Sequence, residues 1–98
     1  MFLSKAEIMT ASAQRCLTRL CRHWGHKFTV SFDAESGEVQ FEPARCLLQV
    51  VDGGLRVAVE TPDEGELAEL EAVVGEHLQR MASPEQLDIR WARLRMVR

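Results

Sequence analysis

The sequence predicts an α+β fold, a two-layer sandwich. Two helices cover one face of an antiparallel sheet of five or six strands, in the order (β)αββββαβ. Three observations carry that expectation. Two segments repeat apolar residues at three- and four-residue steps, the period of a helix with one buried side. Between and after them, short runs alternate apolar and polar residues, the period of a strand with one wet face. Short turn segments join successive strand runs, as antiparallel neighbours allow.

Ser4 to Met9 alternate weakly and are expected to form a short edge strand. Thr10 offers an N-cap, its hydroxyl accepting from the first-turn amides. From Ala11 to Trp24 the residues Ala13, Leu17, Leu20, Cys21 and Trp24 share one side, with Arg15, Arg19 and Arg22 as a basic stripe opposite. Gly25 follows as the helix stop, a residue that takes positive φ freely.

Four strand runs come next. Phe28, Val30 and Phe32 alternate inward, Asp33-Ala34-Glu35-Ser36-Gly37 turns the chain, and Val39 and Phe41 alternate until Pro43. Cys46, Leu48 and Val50 form the inward set of the third run, with Leu47, Gln49 and Val51 opposite. Asp52-Gly53-Gly54 signals a tight hairpin, and Leu55, Val57 and Val59 then face in.

Thr61-Pro62-Asp63-Glu64 reads as a capping box opening the second helix. Its stripe is Leu67, Leu70, Val74, Leu78 and Met81, with His77 at the edge and Ser83-Pro84 as the stop. A last strand alternates Leu87, Ile89 and Trp91, and Arg93 to Arg98 is expected to fray.

Size and composition bound the function. The 98 residues leave room for one core, so residues 1–98 are expected to be a single domain. A net charge of −3 opposes generic nucleic-acid binding, which needs surplus cations to displace phosphate counterions. No apolar run approaches a membrane span, and the stretch before Ala6 is too short for a signal peptide. Three cysteines, an odd number, exclude a complete internal disulfide framework and point to reduced thiols in a cytoplasm.

The chemistry-bearing stretch is Cys21-Arg22-His23-Trp24-Gly25-His26-Lys27, which packs two of the three histidines into one helix end. His23 and Cys16 lie on one flank of the first apolar stripe, about 100° from its centre. If the helices lie side by side, His23 and His77 approach across the groove, with Cys16 or His26 as third groups. Such a His/Cys set suits zinc, copper or ferrous iron. The structural alternative is that these flank histidines donate to a carbonyl or carboxylate and bind nothing, since no C-x-x-C or H-E-x-x-H spacing is present. Cys21 and Cys46 read as core residues rather than nucleophiles. The acids from Glu60 to Glu76 read as a solvated face, partly opposite the Arg15/Arg19/Arg22 stripe. No catalytic triad, carboxylate pair or phosphate-cradling glycine loop can be assembled, so no catalytic residue is assigned.

At Leu20-Cys21-Arg22-His23-Trp24-Gly25-His26-Lys27, and again from Leu67-Ala68-Glu69-Leu70-Glu71 through His77-Leu78-Gln79-Arg80, the chain resembles a bacterial family. It is the domain of unknown function 2218 family, and the likeness runs from Thr10 to Trp91. Its members are small stand-alone proteins or domains joined to siderophore-interacting flavin reductases. The resemblance implies a role near ferric-siderophore handling, a reductase partner, and His23, His26, Lys27 and His77 as the positions that carry over. Cys16 and Met81 stand where relatives are expected to carry aromatic residues.

The leading expectation is therefore a cytoplasmic accessory domain that engages a ferric-siderophore, or a reductase, through a groove beside His23 and His77. No resident cofactor is evident. The alternative, from another class, is an interaction module that self-associates as a homodimer through the open sheet face or an edge strand. Leu47, Val51 and Ala58, on the outward positions, motivate it.

Overall fold

The computed structural model describes residues 1–95. The elements follow in the order β1 (Phe2–Met9), α1 (Ala13–Trp24), β2 (Thr29–Phe32), β3 (Ser36–Gln40), β4 (Arg45–Val51), β5 (Gly54–Thr61), α2 (Leu67–Ala82) and β6 (Ala92–Arg95). The strands form one antiparallel sheet in the order β2-β3-β4-β5-β1-β6. Both helices pack on the same face, as the patterning predicts. Leu17, Leu20 and Cys21 from α1 meet Val74 and Leu78 from α2 above Val39, Cys46, Leu48, Val57 and Val59 of the sheet.

The first strand is longer than its pattern suggests, and it is no edge. β1 runs between β5 and β6, with Phe2 opposite Thr61 on one side and Arg95 on the other. Ser4 is fully buried on its helix-facing side, and burial requires a partner for its hydroxyl. It donates to the Glu71 carboxylate, which also accepts from Arg93 Nε and Nη2, each at 2.9 Å. One carboxylate thus joins α2, β1 and β6.

The termini of α1 differ from the reading of their caps. Ser12 is the N-cap and makes no side-chain cap bond. Thr10 instead accepts from the Ser12 amide at 3.0 Å and donates to Glu85 at 2.8 Å, so its hydroxyl anchors the loop after α2. Gly25 is right-handed, φ −62°, and its amide still reaches Cys21 at 2.9 Å. The chain is turned after it by the Lys27 and Phe28 amides, both bonded to the Trp24 carbonyl.

Asp33 closes the β2–β3 turn by accepting from the Glu35 and Ser36 amides at 2.8 Å, so Ser36 and Gly37 already belong to β3. Phe41, expected in a strand, sits in the turn after β3, where its amide bonds Ala44 at 2.8 Å. In the β4–β5 hairpin Gly53 adopts φ 76°, the left-handed conformation that glycine tolerates. Gly54 is glycine for another reason. A Cβ there would stand 2.1 Å from the Ile8 carbonyl oxygen.

Thr61 ends β5 and is buried, and a 3-10 turn over Glu64–Glu66, capped by Asp63, precedes α2. The threonine still serves the helix start. Its hydroxyl accepts from the Asp63 amide at 3.1 Å and donates to Glu66 at 2.9 Å. The last strand is displaced: Leu87, Ile89 and Trp91 pack against the core without a ladder, and the ladder forms at Ala92–Arg95. Arg93 to Arg95 are therefore paired rather than frayed, and the remainder of that expectation lies outside the described residues.

Candidate functional site

The antiparallel placement of α1 and α2 brings the end of the first helix against the first three turns of the second. Tight turns follow both α1 and β3, and they deliver Phe28 and Phe41 to the same place. The result is a cleft of about 730 Å³ lined by His23, Trp24, His26, Lys27, Phe28, Phe41, Glu66, Glu69, Leu70, Val73 and His77. All four residues expected to bind a ligand, His23, His26, Lys27 and His77, lie on it.

Its inner corner is aromatic. The His23 and His77 rings lie 5.3 Å apart between centroids, tilted by 43°. The Trp24 indole lies 4.9 Å from His77, and Phe41 meets Trp24 edge-on at 5.1 Å and Phe28 edge-on at 4.8 Å. These T-shaped contacts satisfy the ring quadrupoles and fix the floor. Trp24 is buried, whereas His23 is exposed and His77 half-buried.

His77 Nδ1 lies 2.8 Å from the Val73 carbonyl oxygen, one turn back on its own helix. A carbonyl only accepts, so in the neutral ring the proton sits on Nδ1 and the lone pair on Nε2. The carbonyl engagement expected of a merely structural flank histidine is thus present, and it leaves one nitrogen over. His23 makes no hydrogen bond among the described residues.

Charge on the rim is mixed. Lys27 and His26 follow α1, and Glu66 and Glu69 precede or open α2. Glu66 is engaged by Thr61, while neither Lys27 nor Glu69 has an ion-pair partner among the described residues. The basic stripe of α1 does not meet the acidic face of α2 through ion pairs there. Arg15 and Arg19 instead donate to the Ala82 and Met81 carbonyls.

The cysteines stand apart. Cys16, Cys21 and Cys46 are all free and buried. Burial raises the Cys16 thiol above its ordinary value, only partly opposed by Arg15. It pushes Cys21 up to about 11 and raises Cys46 further, so thiolate chemistry at neutral pH is disfavoured. Cys16 is not gathered with the imidazoles. Among the described residues no group of three or more His, Cys, Asp or Glu is placed to hold a metal ion.

Phe28, Phe41 and Leu70 were legible only as core positions, Glu66 and Glu69 only as solvated acids, and Val73 was not singled out. Their membership of a cleft depends on where two turns place them, and periodicity does not encode that. On the sheet's outer face a second hollow of about 620 Å³ runs past Phe32, Leu47 and Ala58. Ion pairs cross that face, with Arg45 on Glu60 and Glu38, and Arg56 on Glu7. No helix among the described residues is long and apolar enough to cross a membrane.

Comparison with known proteins places these features in context. The family described as "Uncharacterized protein conserved in bacteria (DUF2218)" matches residues 5–92. The chain is similar to the NMR structure of PA4090 from Pseudomonas aeruginosa, with 42% identity and a TM-score of 0.79. That alignment covers 94% of this chain and 96% of the other. No curated protein matches the chain.

Proposed function

The chain belongs to the bacterial DUF2218 family, and on that premise we propose that it is a cytoplasmic accessory domain that binds a ferric-siderophore in the His23/His77 cleft and presents it to a siderophore-interacting reductase. The observation that carries this reading is the aromatic corner, where His23, Trp24 and His77 lie together beside Lys27. A cavity of about 730 Å³ suits a ligand of drug-like size. Flat aromatic donors such as catecholates complement a floor of phenyl and imidazole rings, and Lys27 complements their charge. Glu66 and Glu69 oppose an anion on the other wall, so ring contacts rather than net charge carry the affinity.

Iron enters this reading as a finished chelate. Ferric ion prefers hard oxygen donors, and a hexadentate siderophore supplies its whole coordination shell. Trp24 touches His77 and serves as the probe. Titration with a ferric tris-catecholate is expected to quench tryptophan fluorescence saturably, and His77→Ala and Phe41→Ala each to weaken binding about tenfold. A flat titration, or affinity unchanged from the parent in both variants, removes the reading.

A second reading rests on the outer hollow, where Phe32 is 42% exposed beside Leu47. There the protein pairs with a second copy through its open sheet face or an edge strand. Sedimentation at micromolar concentration decides it, a monomer counting against it.

A further inference from the structure

The two imidazoles at the inner corner of the cleft pack at an ordinary ring separation that a shared metal ion would also set. A metal–nitrogen bond of about 2.0–2.1 Å, extended to the ring centre, sets each imidazole centroid about 3.2 Å from a shared ion. Two such rings at a tetrahedral angle stand about 5.2 Å apart. His23 and His77 stand 5.3 Å apart. The Val73 carbonyl meanwhile holds His77 Nδ1 at 2.8 Å, the outer-shell arrangement that orients a ligating histidine and leaves Nε2 as the donor. His23, with no hydrogen bond among the described residues, has a nitrogen to give.

We propose that His23 and His77 form a two-nitrogen site for a borderline divalent metal ion, with the remaining positions filled by water or by donor atoms of a small chelating ligand lying in the cleft. Imidazole nitrogen suits copper(II), nickel(II) and zinc(II), and copper(II) binds tightest in the general order of affinities. With only two protein donors, the site takes ions that are incompletely coordinated. This goes beyond the ferric-siderophore reading, which needs no bond from protein to metal.

The test uses the full chain and aqueous copper(II) in a non-coordinating buffer, read by calorimetry and electron paramagnetic resonance. One equivalent is expected to bind, with the hyperfine pattern of two nitrogen donors. His23→Gln and His77→Gln are each expected to weaken that binding tenfold or more. Nitrogen-detected NMR of the metal-free protein is expected to show His77 protonated on Nδ1. Binding that survives in the double variant, as His26 or the chain's amino terminus would support, overturns the proposal, and so does a His77 ring protonated on Nε2. Should His77→Gln fail to fold, His23→Gln, at an exposed position, still decides the matter. A failed ferric-siderophore titration leaves this result standing, and the reverse also holds.

Discussion

The two helices meet along one seam, and its two ends are built from different polar groups. At one end Arg15 and Arg19 reach across to the Ala82 and Met81 carbonyls at 3.5 and 3.4 Å. These are last-turn acceptors of α2, which have no partner within the helix. Close by, Gln79 donates to the Glu85 carbonyl at 2.7 Å and accepts from the Leu87 amide at 2.9 Å, and Thr10 holds the Glu85 side chain. At the other end His23 and His77 meet, the cleft opens, and neither His77 Nε2 nor either His23 nitrogen makes a hydrogen bond among the described residues. The difference separates polar atoms that bond within the fold from polar atoms that the fold leaves unbonded.

Breaking the middle of the seam should cost most. Leu78 is fully buried under both ends, and Leu78→Ala is expected to lose about 2–5 kcal/mol, read as a shifted denaturant midpoint with an unchanged slope. Next comes thiol reactivity. With Cys21 buried and held at about 11, iodoacetamide at neutral pH should label that thiol about a hundredfold more slowly in the native chain than in the unfolded one, through the loss of thiolate alone. Fast labelling of native Cys16 would mean that the closed end opens.

A smaller effect is expected at Glu71, where Arg93 holds the carboxyl below its usual range against the opposing effect of burial. A carboxyl lowered in the folded state contributes stability above its unfolded value and loses it as pH falls through the folded one. Glu71→Gln should therefore cost about 1 kcal/mol at neutral pH, with the gap to the parent closing in acid. Thermal midpoints across pH check the sign. The smallest change is expected from His77→Ala, about 0.5 kcal/mol, because the Val73 carbonyl keeps its helical partner. A large loss there would show that the open end is structural after all.

Much of this contrast could be read from the chain. The stripe Leu17, Leu20, Cys21 and Trp24 is buried as its spacing predicts, and the approach of His23 to His77 follows from two flanks on neighbouring helices. The cleft's floor was not legible, because Phe28 and Phe41 reach it through turns rather than through strand alternation. Thr10 looked like a cap because its hydroxyl is suited to one, yet a distant glutamate bonds that hydroxyl instead. The last ladder was missed for a similar reason. Arg93 reads as a solvated end, but a carboxylate on α2 captures it and draws its strand onto β1.

The partners of β1 set when the sheet can be completed. The segment Phe2–Met9 leaves the ribosome before both of its neighbours, Gly54–Thr61 and Ala92–Arg95, so it waits for each flank in turn. Distant pairings of this kind close late and slowly. Pulse-labelled amide exchange during refolding should therefore protect β3 and β4 before β1, and early protection of β1 would refute that sequence of events. Until its final partner arrives, the newborn chain presents the apolar residues Leu3, Ala6 and Ile8 to whatever chaperone meets it.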